Sequence, residues 1–387
     1  MRSQIINASI VLEDGILRDG ICCYTDGIID YIGTDPQPGA RTVQDAQGGL
    51  LLPGFVDIHC HGGAGYDFMD AQPEEMEQIA RFHLSHGTTT LFATTMTDRW
   101  EYIHGALARI ERLFDSGRQQ NVTGIHLEGP WLSPAQCGAQ STDCMELPDP
   151  DKLRQLVSRY PHLRRISAAP ELPGGLELAR VGRELGLVMS VAHTDGDFER
   201  IQQAAEEGYT LMTHLYSGMN MTHRVNAFRV AGAVEAGLYD DRLSVELIAD
   251  GVHLPAALLK LVLRCKGPDK ICLVTDAMRG AGLPEGSCTK LGRMDGGVDV
   301  ILEDGVAKLP DRTSFAGSVA TTDRLLRTML EGTGADLVSV SRMLSATPAR
   351  VMGLTDRGSI EVGKRADLVL LDEKMEVKQV FFGGNEI

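Results

Sequence analysis

Short apolar runs alternate with longer amphipathic stretches through the middle of the chain. The short runs are typical of buried strands, whereas the stretches between them repeat apolar residues at the helical period. The predicted strands cover residues 55–58, 88–93, 122–127, 166–169, 188–191, 210–213, 244–248 and 271–274, and the predicted helices include residues 73–86, 99–117, 151–160, 176–186 and 197–208. This repeat predicts an α/β fold in the form of a (β/α)8 TIM-like barrel, although a doubly wound open sheet has a similar alternation.

The two chain ends follow a different pattern. Short β-rich pieces are separated by turns such as Asp14-Gly15 and Asp26-Gly27 near the N-terminus, and the last thirty residues look alike. We therefore expect a small β-sandwich domain built from residues 1–52 and 355–387, beside a catalytic barrel of residues 53–354. A glycine-rich segment interrupts the barrel pattern, and residues 292–310 are expected to form a hairpin that joins the small domain.

Residues able to bind a metal or move protons follow the predicted strands. Side chains two apart on a strand point to the same side, so His59 and His61 are expected to face one site. The C-terminal ends of parallel barrel strands meet at one mouth, where barrel active sites lie. Taken singly, each residue is also compatible with a structural role, such as a hydrogen-bonded core histidine or a helix N-cap. The strand-end residues are His59, His61, Glu128, His193, His214 and Asp276.

Composition and charge narrow the class of partner. The formal net charge is −16, which argues against nucleic acid or an anionic membrane surface as the main partner. The sequence lacks an apolar run of membrane-spanning length and an N-terminal basic region followed by a long apolar one. We therefore expect a soluble cytoplasmic protein that acts on a small molecule.

A series of short motifs carries a family resemblance. The chain is similar to the N-acetylglucosamine-6-phosphate deacetylases of the amidohydrolase superfamily over essentially its whole length. The motifs are, in chain order, His59-Cys60-His61-Gly62, His126-Leu127-Glu128-Gly129-Pro130, Ala169-Pro170-Glu171, Ala192-His193-Thr194, Thr213-His214-Leu215, Ala249-Asp250-Gly251-Val252-His253, Val274-Thr275-Asp276-Ala277-Met278 and Ala316-Gly317-Ser318.

The resemblance implies a metal-dependent hydrolase barrel that removes acetate from an N-acetylated amino sugar phosphate, giving glucosamine 6-phosphate in the favoured case. It implies one divalent ion held by Glu128, His193 and His214, and a second that His59 and His61 are able to hold. Zinc is favoured, and iron, manganese or cobalt suit the same donors. In this scheme Asp276 takes the proton of the attacking water and returns it to the departing nitrogen. His253 is the residue implied to contact the sugar.

The chain departs from the family pattern where the substrate binds. Family members usually carry Gly-x-His after the Gly-Pro turn, but this chain has Gln140, which donates a hydrogen bond and carries no charge. Ser217 and Gly218 replace the usual Asn-Ala that grips phosphate. Arg224 and Arg229 are the candidates for the family's phosphate-binding arginine. In the family this arginine often comes from a partner subunit, which favours a homodimer.

These departures leave two alternatives. The first is the same hydrolysis on another N-acyl substrate, either N-acetylgalactosamine 6-phosphate or a non-phosphorylated N-acyl metabolite. The second is a non-catalytic metal-binding scaffold. Asp276 argues against the scaffold, because a protein that only binds metal has no need of a proton shuttle.

Overall fold

The computed structural model of the chain describes residues 2–387. Its strands are β1 (Arg2–Val11), β2 (Ile16–Thr25), β3 (Ile28–Gly33), β4 (Thr42–Asp45), β5 (Leu50–Pro53), β6 (Phe55–Cys60), β7 (Gly62–Gly63), β8 (Tyr66–Asp67), β9 (Thr88–Thr95), β10 (Val122–Glu128), β11 (Leu163–Ala168), β12 (Val188–Val191), β13 (Tyr209–Met212), β14 (His223–Val225), β15 (Phe228–Val230), β16 (Ser244–Leu247), β17 (Ile271–Leu273), β18 (Cys288–Leu291), β19 (Val298–Glu303), β20 (Val306–Lys308), β21 (Leu368–Leu371), β22 (Val377–Phe382) and β23 (Asn385–Glu386). Its α-helices are α1 (Pro73–Ser85), α2 (Trp100–Asp115), α3 (Pro150–Arg159), α4 (Gly175–Glu184), α5 (Phe198–Glu207), α6 (Ala233–Tyr239), α7 (Ala256–Lys266), α8 (Thr322–Thr333), α9 (Leu337–Leu344) and α10 (Ala346–Val351).

Eight parallel strands form the central barrel. They pair in chain order, as β6, β9, β10, β11, β12, β13, β16 and β17. The ring closes just beyond β17, where the Asp276 N–H donates to the His59 carbonyl at 2.9 Å and the His61 N–H donates to the Ala277 carbonyl at 2.8 Å. Sequential pairing with closure confirms the (β/α)8 barrel, because a doubly wound open sheet has a reversal in its strand order and two free edges.

The helices cover the outside of this ring. On α2 the buried residues Ile103, Ala106, Leu107 and Ile110 recur at the helical period, so one face packs against the barrel. Full burial of an isoleucine or leucine side chain on this face contributes about 1.5–3 kcal/mol. The predicted helices α1 to α5 are confirmed, with ends displaced by one or two residues. Among residues 2–387, no helix is long and apolar enough to cross a membrane.

Both chain ends contribute to one eight-stranded sheet beside the barrel. Its order is β23, β22, β21, β5, β1, β2 and β3, and β4 also pairs with β1. The join is antiparallel between β21 and β5, where Val369 lies opposite Leu52. The sheet has its own apolar cluster, which includes Ile5, Ile10 and Phe381. The terminal β unit is therefore present, while the domain boundaries at residues 52 and 355 stay a prediction.

The glycine-rich segment forms its own small sheet. The hairpin β19–β20 turns at Asp304-Gly305, where both residues have positive φ as a tight hairpin turn requires. It pairs with β18 and makes no pairing with the terminal sheet. The expected hairpin is therefore present, with Val300, Leu302 and Ala307 in the same apolar cluster as the barrel strands, and its assignment to the small domain stays a prediction.

Candidate metal centre and active-site cavity

The strand ends converge on a cavity of about 750 Å³. Its floor carries charged and imidazole side chains, and its outer wall comes from β19, β20 and the segment after them. Nine of the residues expected at the site from the sequence line it. These are His61, Glu128, Gln140, His193, His214, Ser217, Gly218, His253 and Asp276.

The side chains expected to bind metal form two buried groups. His59, His61 and Asp276 make one, and Glu128, His193 and His214 make the other; within each group the ligand atoms lie within 4.8 Å of one another. Each group is the size of a single-ion coordination shell. The two groups therefore offer two adjacent cation sites.

The Glu128 carboxylate lies between these two groups. Its Oε1 faces the Nε2 atoms of His214 at 3.1 Å and His193 at 3.5 Å. Its Oε2 faces the Nε2 atom of His61 at 3.3 Å. One oxygen of Glu128 is thus directed at each group, as a bridging ligand would be.

The charges of the site call for a cation. Burial alone would raise the pKa of Asp276, but the neighbouring His59 and His61 lower it to about 2. Burial lowers the pKa of His59, but Asp276, Glu128 and Glu246 raise it to about 9. The carboxylates therefore attract positive charge into this buried site. Buried charges of this kind are normally paired or coordinated to metal, and mixed imidazole and carboxylate donors suit divalent transition ions.

Three of these side chains are held on strained backbone. The φ angles are 48° at Asp276, 41° at His193 and 31° at His214, in the left-handed region that residues with a Cβ rarely adopt. Each such residue costs about 1–3 kcal/mol and persists only where its surroundings hold it. For Asp276 the surroundings include the Ser318 N–H, which donates to the Asp276 carbonyl at 2.8 Å. The sharp backbone turn at each of these strand ends directs the side chain into the mouth of the barrel.

His253 is fixed by the acidic residue three positions before it. The Asp250 carboxylate accepts from the His253 backbone N–H and from its ring Nδ1, both at 2.8 Å. The ring packs against Phe315, with centroids 4.7 Å apart. Because Nδ1 is engaged, Nε2 is the ring nitrogen available to a ligand in the cavity. This geometry is consistent with the expected contact to substrate.

Gln140 has a different environment from the one expected. Its Oε1 accepts the Thr97 backbone N–H at 2.9 Å, and its Nε2 donates to Glu128 Oε2 at 3.0 Å. The side chain is 8% exposed, so most of its surface contacts protein. The carboxamide therefore hydrogen-bonds to Glu128, one of the expected metal ligands, and it also lines the cavity.

Ser217 and Gly218 line the wall beside His193. A Cβ at Gly218 would lie 2.6 Å from Nδ1 of His193, which itself donates to the Gln136 carbonyl at 2.7 Å. The close approach, together with a φ of 58°, accounts for glycine at this position.

Arg224 and Arg229 lie away from the cavity. They pair across the exposed hairpin β14–β15, and neither is among the residues lining the cavity. The cations that do line it are Lys308 and Arg312, and both form ion pairs with Glu303. The cavity lining of one chain therefore contains neither of the two candidate arginines.

Two buried charged residues within the barrel were not expected from the sequence. Glu246 is fully buried on β16 and Arg165 is fully buried on β11, and they form an ion pair. Burial raises the pKa of Glu246, but Arg165 and His59 lower it to about 2. The available signal was a charged residue inside an otherwise apolar strand, Val245-Glu246-Leu247, because such a residue needs a buried partner.

Comparisons with known proteins agree with this geometry. The family model described as the amidohydrolase family matches residues 50–387. An N-acetylgalactosamine-6-phosphate deacetylase of Escherichia coli O157:H7 is 34% identical over 97% of this chain and 96% of its own length. An N-acetylglucosamine-6-phosphate deacetylase of Lysinibacillus sphaericus is also 34% identical, over 98% of this chain and 95% of its own.

Solved structures give the same result. A mutant N-acetyl-D-glucosamine-6-phosphate deacetylase from Mycobacterium smegmatis, in complex with N-acetyl-D-glucosamine-6-phosphate, aligns with a TM-score of 0.91 at 30% identity over 100% of this chain and 99% of that one. The deacetylase from Thermotoga maritima aligns with a TM-score of 0.87 at 31% identity, over 99% of both chains. The chain therefore belongs to the amidohydrolase family, in the branch of the N-acetylglucosamine-6-phosphate deacetylases.

Proposed function

We propose that the protein hydrolyses the amide bond of N-acetylglucosamine 6-phosphate, releasing acetate and leaving glucosamine 6-phosphate. The observation that carries this proposal is the position of Asp276. Its carboxylate lines the cavity and lies 3.4 Å from His59 Nε2 and 3.2 Å from His61 Nε2, next to the Glu128 group. A scaffold that only bound metal would not need an ionised carboxylate open to a substrate cavity.

Two divalent ions per chain fit the donors best. Glu128, His193 and His214 would hold one ion, and His59, His61 and Asp276 would hold the other, with Glu128 shared between them. Zinc is the favoured metal, and iron, manganese and cobalt suit the same donors. When bound, such ions supply Lewis-acid polarisation of a carbonyl and lower the pKa of water toward ~7.

The chain's own residues then move the proton and hold the sugar. Asp276 accepts a proton from the attacking water and returns it to the amide nitrogen as the C–N bond breaks. His253, held by Asp250, presents Nε2 to the sugar. Gln140 acts on Glu128, since its amide nitrogen donates to that carboxylate.

The phosphate needs a cation, and the two that line the cavity of one chain, Lys308 and Arg312, are both paired with Glu303. We infer a homodimer in which Arg224 or Arg229, on the exposed hairpin β14–β15 of one copy, reaches the cavity of the other. The same hairpin carries Phe228, which is 77% exposed and suited to burial against a second copy. Because sugar phosphates are charged and are retained inside cells, we also infer that the enzyme acts in the cytoplasm.

A second substrate has specific support. The relative from Escherichia coli O157:H7 is named for N-acetylgalactosamine 6-phosphate, and it is as similar to this chain as the relative from Lysinibacillus sphaericus. The two sugars differ in the orientation of one hydroxyl group, so the same metal chemistry serves both.

Acetate release tests these assignments. We expect a higher kcat/KM on N-acetylglucosamine 6-phosphate than on N-acetylgalactosamine 6-phosphate, and much lower turnover on unphosphorylated N-acetylglucosamine. Equal rates with and without phosphate would refute the phosphate assignment. Asp276→Asn should lower kcat by about 10²–10⁴-fold, the usual worth of a general base, while the ion held by Glu128, His193 and His214 stays bound. Asp151→Asn, at an exposed helix start outside the cavity, is the control.

A further inference from the structure

Glu246 connects the two groups of metal-ligating residues from inside the barrel. One of its oxygens, Oε2, accepts from Nδ1 of His59 at 3.1 Å and from the backbone N–H of His214 at 3.1 Å. His59 belongs to one group and His214 to the other. A single carboxylate oxygen, outside the cavity lining, therefore contacts both halves of the site.

Arg165 completes this arrangement on the other side of Glu246. Its guanidinium donates to Glu246 Oε1, to the Ile58 carbonyl at 3.0 Å and to the Thr213 hydroxyl at 3.0 Å. Ile58 and Thr213 are the residues directly before His59 and His214. The buried cation thus fixes the two strands at the positions from which the two ligands project.

We propose that Glu246, held by Arg165, is a positioning residue that sets the ring orientation of His59 and the backbone position of His214. A histidine that donates from Nδ1 to a carboxylate is left with Nε2 as its ligand nitrogen, and such partners tune metal affinity as well as orientation. In His59 it is Nε2 that faces Glu128 and Asp276, at 3.7 and 3.4 Å. The inference rests on the proposed metal-dependent function, because it concerns ligands of those ions.

The competing explanation is a buried ion pair that only stabilises the barrel. Removing one partner of such a pair leaves an unpaired buried charge, so single variants do not separate the two explanations. Two double variants do. Glu246→Leu with Arg165→Met removes both charges and the acceptor for His59, whereas Glu246→Gln with Arg165→Met removes both charges but keeps an acceptor oxygen.

The measurement is Co²⁺ binding to metal-free protein, followed by the visible absorption of the bound ion and by competition with a chelator. We expect the wild type to bind two ions. The Leu/Met variant should bind one of them about 10–100-fold more weakly, with an altered spectrum, and the Gln/Met variant should recover most of the affinity. Equal affinities for both ions in the Leu/Met variant and the wild type would overturn the proposal.

Two further outcomes are informative. If the wild type binds a single ion, the two-ion proposal fails. The difference in affinity for that ion between the two double variants then still decides the role of Glu246. If neither double variant folds by circular dichroism, ¹⁵N-histidine spectra of the zinc-loaded wild type decide it. These should show His59 protonated at Nδ1; protonation at Nε2 would overturn the proposal.

Discussion

The role of Gln140 can be separated from a substrate contact by one substitution. Gln140→Leu keeps the approximate volume of the side chain but removes both polar atoms. The Thr97 N–H then lies buried without its acceptor, which costs about 1–3 kcal/mol, and the charged Glu128 carboxylate loses a hydrogen bond worth about 1.5–3 kcal/mol. With partial relaxation, we expect the free energy of unfolding to fall by roughly 2–4 kcal/mol.

The second expected effect of Gln140→Leu is a lower affinity for metal. A carboxylate ligand that loses its hydrogen-bond partner typically binds about 10–100-fold more weakly, so chelator competition should show this loss in Gln140→Leu. Gln136→Leu is the matched control, since Gln136 lies in the same loop and its side chain donates to the exposed Asp195 at 2.8 Å. That variant should lose less than about 1 kcal/mol and no metal affinity.

The opposite result, an effect on substrate binding without an effect on metal affinity, would refute this reasoning. If Gln140→Leu binds metal like the wild type and raises KM alone, Gln140 contacts the substrate and its bond to Glu128 has no consequence. Urea unfolding, chelator competition and steady-state kinetics on the same preparations distinguish the two results.

Three other perturbations have defined outcomes. Asp250→Asn removes the charged partner of His253, worth about 1.5–3 kcal/mol, so KM should rise about 10–100-fold with a smaller change in kcat; an unchanged KM would remove His253 from substrate binding. Chelation should abolish activity and lower Tm, and Zn²⁺ at 100 times Kd should restore about 2.7 kcal/mol of stability for each ion bound; an unchanged Tm on adding zinc would contradict the buried cation sites. Burial lowers the pKa of His83 from 6.5 to about 4, so between these pH values the unfolded chain binds a proton that the folded chain does not. Stability should therefore fall as pH drops, by about 2 kcal/mol between pH 7 and 5, and His83→Gln should lose that part of the pH dependence in urea unfolding.

The barrel and the convergence of the strand-end side chains were predictable because both depend on local patterns. An apolar run that ends in His59 or Asp276 predicts both a buried strand and a polar side chain at its end. The ends of parallel barrel strands meet at one mouth, independently of the loop conformations. The helices α1 to α5 were predictable for the same reason.

The contacts that depend on the rest of the fold were not predictable. The hairpin β19–β20 had the right local pattern, but the core that it packs against is set by the barrel and not by its own residues. The engagement of Gln140 with Glu128 requires Thr97, forty-three positions away, to hold the carboxamide in one orientation. Arg165 and Glu246 are eighty-one positions apart, and neither is informative without the other.

Closure of the barrel determines when the site can exist during folding. The strand bearing His59 and His61 is the first of the ring, and the segment bearing Asp276 follows the last, with bonds between them spanning 217 residues. Closing a loop of that length costs on the order of 5 kcal/mol in chain entropy. The His59, His61 and Asp276 group is thus assembled only after nearly the whole barrel has been synthesised and paired. If this group binds an ion as proposed, its full set of ligands is complete only when the ring has closed, and a shortened chain that ends before residue 276 lacks the carboxylate of the group.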